Sequence, residues 1–142
     1  MKFCIILFFC ILGVATLFYY NFFTPPYYEQ FVGLASSFLQ GKLYFPVATF
    51  DAAIKDGYYY WPLGPLPAVL LMPFVYIFGD NIRQGYLLFI LSLFNLFLLF
   101  RIANHFFNNF TNSLIISFAI LFSTVYLGIA LTPSSWSLGQ IA

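Results

Sequence analysis

The chain has 142 residues, of which 63% are hydrophobic, 24% aromatic and 6% charged, with five Lys or Arg, four Asp or Glu and a net charge of +1. A soluble domain carries about 25% charged residues, so a water-facing surface is excluded, and so many aromatics exclude disorder. Nothing basic enough for nucleic acid is present, and Cys4 and Cys10, six apart in one apolar run, suit neither a disulfide framework nor a zinc site.

What remains is an all-α polytopic membrane protein, a single membrane domain over 1–142 and multi-pass. A charge at the bilayer centre costs about 2.5–3.5 kcal/mol on insertion scales, so charge-free intervals mark the spans. They lie at 3–28, 57–79 and 84–100, and past Arg101 there is no Asp, Glu, Lys or Arg, only His105. The expected membrane helices are 3–20, 61–78, 85–101 and 112–131, with 134–142 apolar enough to begin a fifth.

The first span starts after Lys2. A signal peptide is the competing reading, with Gly13-Val14-Ala15 as its small-residue triplet, but the apolar run continues through Leu17-Phe18-Tyr19-Tyr20, which favours an uncleaved anchor. Between the first two spans lies a 40-residue loop, 21–60, with five of the charges. Its first part, 26–40, reads as a helix: Tyr27, Phe31, Leu34, Ala35 and Phe38 fall on one face. Glu29, Gln30, Gly33, Ser36, Ser37 and Gln40 fall on the other, and Gly41 is a natural stop. Too polar to span, this helix is expected to lie along the membrane surface. Lys55-Asp56 before Gly57 looks like a solvated turn, and Tyr58-Tyr59-Tyr60-Trp61 is an aromatic cluster of the kind enriched at the headgroups.

In the second span Pro62, Pro65 and Pro67 suit a helix start and Pro73 predicts a kink. The third carries Ser92 and Asn95, Asn95 reading as a helix–helix hydrogen-bonding residue. His105 reads as an interfacial histidine without a special role, and Asn109-Phe110-Thr111 matches the glycosylation acceptor pattern but arises readily by chance. With the N-terminus inside, Lys2 and Arg83 are cytoplasmic while Lys42, Lys55 and Arg101 are outside, so the charge tally does not decide orientation.

No nucleophile triad, phosphate-cradling glycine loop or His/Cys metal spacing is visible. The candidates for chemistry are the loop acids Glu29, Asp51 and Asp56. A carboxylate at a membrane surface serves as a general base on a hydroxyl, or holds a divalent cation against a phosphate, and Lys42 and Lys55 could meet that phosphate as point charges. Glu29 has a competing structural explanation at the start of its helix, and Asp56 has one in its turn. Asp51, between Phe50 and Ala52-Ala53, has no obvious turn to explain it, so it ranks first, Glu29 second and Asp56 third.

The stretch Tyr28-Glu29-Gln30, then Ala35-Ser36-Ser37-Phe38-Leu39-Gln40-Gly41-Lys42-Leu43-Tyr44-Phe45-Pro46, continues loosely through Thr49-Phe50-Asp51. It ends in Asp56-Gly57-Tyr58-Tyr59-Tyr60-Trp61-Pro62-Leu63-Gly64-Pro65-Leu66-Pro67-Ala68. In order and spacing it resembles the start of GT-C type polytopic glycosyltransferases, most of all a bacterial family-39-related branch similar to protein mannosyltransferases. The resemblance covers about 50 residues. Where such families often carry an acidic pair after the first span, this chain has Tyr28-Glu29, with one acid, which leaves Glu29 and Asp51 as alternatives for the catalytic place.

The resemblance implies a partial GT-C fold in a bacterial plasma membrane, with 21–60 outside the cytoplasm. It implies transfer of a sugar from a polyprenyl-phosphate donor to an acceptor at the outer face. Asp51 or Glu29 would take the acceptor's proton, Lys42 and Lys55 would meet the phosphate, and Tyr59 and Trp61 would form the rim. No cofactor is implied, a divalent cation staying open. Full enzymes of this type are longer, so an N-terminal fragment, inactive alone, is the expectation. Two rivals stand beside it: a four-span transporter or flippase using Asn95, Ser92 and the Pro73 kink as a polar path, and a non-catalytic accessory subunit.

Overall fold

The computed structural model describes residues 2–25, 29–45 and 48–141 and is mostly helical. In chain order the elements are α1 (Lys2–Phe23), α2 (Gln30–Leu39), β1 (Ala53–Lys55), β2 (Tyr58–Tyr60) and α3 (Leu66–Phe78). A 3₁₀ turn (Gly79–Asn81) leads to α4 (Gln84–Phe107), α5 (Phe110–Phe122), α6 (Val125–Ala130) and α7 (Ser135–Ile141). Two helices are long and apolar enough to cross a membrane: Cys4–Phe23 and Gln84–Phe107.

The other two expected spans take a different form. Helix α3 begins only at Leu66 and has 13 residues. At 1.5 Å per residue it is about 20 Å long, short of the roughly 30 Å hydrocarbon core. The cause is local: Pro62 and Pro65 push the residues before them, Trp61 and Gly64, away from helical backbone, while Pro67 is tolerated in the first turn of the helix. The helix assignment runs unbroken through Pro73. The expected 112–131 span is split. Asn109 caps α5 through its side chain (Asn112 N–H, 3.1 Å), α5 stops at Ser123, and Thr124 caps a new helix, its hydroxyl accepting from Tyr126 N–H at 3.3 Å. Arg101 does not close α4, which continues to Phe107 and ends where Asn108 turns left-handed at φ 44°.

Three strands of chain pass beside one another. Ring contacts pair Phe18 edge-on with Phe89 and Phe22 with Tyr86, so α4 runs antiparallel to α1. Asn104 faces Ser113, and Asn95 donates to the Tyr126 hydroxyl at 2.9 Å, so α5 and α6 run back along α4. Asn95 thus holds two helices together, as its sequence position suggested. At one end of this bundle α1, α4 and α6 meet. Asn21, fully buried, donates to the carbonyls of Leu17 and Ala130, both at 2.9 Å. Arg83 donates to Phe22 O at 2.6 Å and to Thr24 O, closing the carbonyl end of α1 with a cation, where the helix dipole favours one. Gly85 permits the approach, because a Cβ there would lie 2.5 Å from the Asn21 carbonyl oxygen.

On that same end sits a second layer of α2, α3, the β-hairpin and α7. Its core joins Phe31, Val32, Leu34 and Ala35 of α2 to Ala68, Leu71 and Val75 of α3, Leu87 and Leu88 of α4 and Leu138 of α7, with Phe45 and Trp61. Gln30 N–H donates to Ser135 Oγ at 3.0 Å, and Ser135 Oγ donates to Gln84 Oε1 at 3.0 Å. The chain from 30 to 84 therefore ends where it began, and the chain from 84 to 135 does the same by going out along α4 and back along α5 and α6. The expected 61–78 span would have carried Gln84 to the opposite end.

The α2 helix is found over Gln30–Leu39; positions 26–28 of the expected helix, with Tyr27 of its apolar face, and Pro46 of the resembling stretch lie outside the described residues. Its apolar face is covered by α3 rather than by lipid. The Asp56-Gly57 turn is present with φ of 53° and 79°, the pair of positive values that a tight type I′ hairpin requires. It joins two short strands within the expected 21–60 loop, with Ile54 opposite Tyr59.

Candidate functional site

The polar face of α2 forms one wall of a cleft of about 440 Å³. Glu29, Gln30, Gly33, Ser36, Ser37 and Gln40 line it along the helix. These are the residues that helical spacing put opposite the apolar face. Phe45, Ala48 and Thr49 close it from the loop, and Asp80 from the 3₁₀ turn after α3. Tertiary folding has made the face a recess instead of an open surface.

Glu29 is the N-cap residue of α2, and its carbonyl accepts from Val32 and Gly33 N–H at 3.1 and 3.3 Å. Its carboxyl is half-buried. Loss of hydration raises its pKa above the ordinary carboxylate value, while the Arg83 charge and the Gln84 backbone N–H oppose that rise. Its Oε1 is buried without a hydrogen-bond partner. Gln30, 5% exposed, likewise leaves its Oε1 unpartnered although its backbone N–H is held by Ser135.

The other sequence candidates are dispersed. Asp51 is exposed and does not line the cleft; its φ of 61° places it in the left-handed region, within a turn closed by Ala52 N–H on Thr49 O at 3.3 Å. Asp is among the residues that tolerate this conformation, so Asp51 has a local structural role that its sequence neighbours did not reveal. Asp56 and Lys55 are exposed at the hairpin. Lys42 donates to Gln40 Oε1 at 3.0 Å, beside the cleft. Tyr59 is half-buried in β2, its carbonyl accepting from Phe45 N–H at 2.8 Å.

Trp61 is no rim residue. It is 8% exposed, packed edge-on between Phe31 and Trp136 with ring centroids 5.9 Å from each, and its Nε1 has no partner. Asp80 is the acid the sequence reading passed over, because it stood only as the end of an expected span. Among the described residues no group of three or more His, Cys, Asp or Glu could hold a metal ion.

A second recess, about 510 Å³, runs along the bundle between α1 and α5–α6. Ile6, Phe9, Gly13, Ile115, Phe118 and Phe122 are among its lining, and Thr16 is the polar exception. The fold and its recesses describe a helical chain with two helices able to cross a membrane and an acidic, amide- and hydroxyl-lined cleft at one end of the bundle. No family model, curated protein or solved structure matches the chain.

Proposed function

We propose that this chain is part of a membrane glycosyltransferase of the GT-C type, moving a sugar from a polyprenyl-phosphate donor to a hydroxyl acceptor at the outer membrane face. The observation that carries the reading is Glu29: an acid directly after the first long apolar helix, at the head of a polar cleft, its pKa raised by burial. A general base works best when its pKa approaches the working pH. In the proposed step the acceptor oxygen attacks the anomeric carbon and its proton passes to the Glu29 carboxylate. The bond from that carbon to the phosphate oxygen breaks, and the lipid phosphate leaves with the electron pair. Asp80, across the cleft, is placed to orient the acceptor. The apolar recess between α1 and α5–α6 suits a lipid chain.

The proposed topology has three passes, α1, α4 and the broken α5–α6, with α2, the hairpin, α3 and α7 together outside. The Gln30–Ser135–Gln84 contacts favour it over four single crossings.

The test is sugar transfer by membranes containing the protein at matched expression. Glu29→Gln is expected to lower turnover by roughly 10²–10⁴-fold, the usual loss for a general base, while Asp51→Asn stays near normal. The reverse result moves the base to the exposed turn, and full activity in both variants removes the loop from the chemistry.

A further inference from the structure

Helix α4 has 24 residues, and Asn95 is its twelfth. At 1.5 Å per residue Asn95 lies about 17 Å from either end. With α4 crossing the membrane, it stands near the middle of a roughly 30 Å hydrocarbon core. Its bond to the Tyr126 hydroxyl puts the start of α6, and with it the break after α5, at the same depth. A polar side chain there finds its partner on another helix, and irregular backbone is tolerated only where protein or a water-filled cavity meets it.

The break meets its own needs. The Ser123 and Thr124 hydroxyls donate back to the Ala119 and Ile120 carbonyls, and Thr124 Oγ1 accepts from Tyr126 N–H. The Asn95–Tyr126 pair does not. Tyr126 accepts from Asn95 Nδ2 and keeps its own hydroxyl proton, and among the described residues nothing takes that proton or donates to Asn95 Oδ1. Nor is Asn95 Oδ1 among the unpartnered oxygens sealed inside the protein, so it can be reached from outside. Both residues line a groove of about 360 Å³, with Leu98 and Ile102 of α4 on one wall and Ile120 and Thr124 on the other. These four wall residues are exposed, so the groove opens outward, toward lipid.

A lipid chain can cover the apolar walls but brings no donor or acceptor to this depth, since its headgroup stays about 15 Å away at the surface. What completes the pair must offer one acceptor and one donor together, at the level of the pair itself. A second copy of this chain carries that set. Two copies with the same topology are related by a two-fold axis along the membrane normal, which keeps every residue at its own depth. Asn95 and Tyr126 are bonded within one copy, so each is automatically level with the other residue of the second copy.

We infer that the groove between α4 and α5–α6 is the contact of a symmetric dimer, in which the Tyr126 hydroxyl of each copy donates to Asn95 Oδ1 of the other. Phe94 and Phe97, both 54% exposed next to the groove residues on α4, supply the ridge that enters the facing groove. Only the crossing of α4 and α5–α6 is taken from the proposed topology, and no step of sugar transfer enters.

The experiment uses the whole protein in phosphatidylcholine vesicles, with Cys4 and Cys10 replaced and donor or acceptor dyes attached at Lys55→Cys. Energy transfer between copies, followed as the protein-to-lipid ratio is lowered, gives the dissociation constant. The wild type is expected to show transfer above that of randomly placed copies. Asn95→Leu removes both exchanged bonds, each worth roughly threefold or more, and is expected to weaken association about tenfold or more. Ile102→Trp leaves the Asn95–Tyr126 bond in place and fills the groove from an exposed position, so it gives the same loss should Asn95→Leu fold poorly. Under oxidation Leu98→Cys is expected to join two copies, and Phe9→Cys, in the recess beside α1, is not.

Transfer no greater than random proximity overturns the dimer. So does association unchanged in both Asn95→Leu and Ile102→Trp, or cross-linking through Phe9→Cys but not Leu98→Cys. A Leu98→Cys cross-link in native membranes that joins only a different polypeptide also overturns it, and assigns the groove to another span.

Discussion

Ser135 links the three parts of the chain that meet at the end of the bundle, and its removal tests that junction. In Ser135→Ala the Gln30 N–H, in the first turn of α2, loses its acceptor at 3.0 Å, and Gln84 Oε1 loses a donor at 3.0 Å. Ser135 and Gln84 are both fully buried, and Gln30 nearly so, which keeps water from replacing these bonds easily. A buried N–H left unsatisfied costs about 1–3 kcal/mol, and a neutral bond such as that to Gln84 contributes about 0.5–1.5 kcal/mol. The expected loss is therefore roughly 1.5–4.5 kcal/mol, large against the marginal stability of a domain. Reversible unfolding in mixed micelles measures it. A double-mutant cycle with Gln84→Ala isolates the side-chain pair, with an expected coupling of about 0.5 kcal/mol or more. Additive variants, or a Ser135→Ala cost under about 0.5 kcal/mol, would refute the convergence of residues 30, 84 and 135, and with it the argument against four single crossings.

Three further outcomes are expected. A cysteine placed at Lys55 should react with an impermeant thiol reagent in intact cells, and one at Asn108 only after permeabilisation, with Cys4 and Cys10 replaced first; equal labelling of both favours four passes. Gly85→Ala should destabilise by about 1–3 kcal/mol through contact with the Asn21 carbonyl, outweighing the roughly 1 kcal/mol that alanine gains in a helix; a thermal melt that rises instead would show that α1 and α4 can separate at no cost. Because burial raises the Glu29 pKa in the folded state, its proton stabilises the fold below the unfolded value of about 4.3. That stability is lost as pH climbs through the raised value, so the melting temperature should fall over this window in the wild type and not in Glu29→Gln.

Periodicity read along the chain identified the helices that carry their own signal. The long charge-free runs gave α1 and α4, and spacing gave both faces of α2 correctly, since Phe31, Leu34 and Ala35 are buried while Ser36 and Gln40 line the cleft. The errors came where hydropathy was asked to give length. An apolar interval such as 61–78 reads the same whether it crosses a membrane or packs on a neighbour, and only the prolines at 62 and 65 held the information that its helix is short. The Thr124 break in the last span was likewise written in residue type, as a hydroxyl able to cap a new helix, yet apolar neighbours on both sides concealed it. The hairpin had a clear signal in Asp56-Gly57 next to three tyrosines, which a membrane-centred reading treated as an interfacial belt.

The candidate site was legible as a face but not as a pairing, and the reason lies in the acids. Asp51 ranked first from sequence because no local structure explained it; its left-handed backbone in a turn supplies that explanation, which residue identity alone does not show. Glu29 ranked lower because a helix start accounted for it, but its carboxyl makes no side-chain cap on α2 and instead sits half-buried between Arg83 and the cleft. Its partner across the recess, Asp80, stands 51 positions further along the chain. Only the return of α3 to the first turn of α2 brings the two together, and a sequence cannot show such a return when its spans are counted as single crossings. The chemistry of the cleft thus depends on the tertiary turn at Gly79–Asn81 as much as on the helix that presents its polar face.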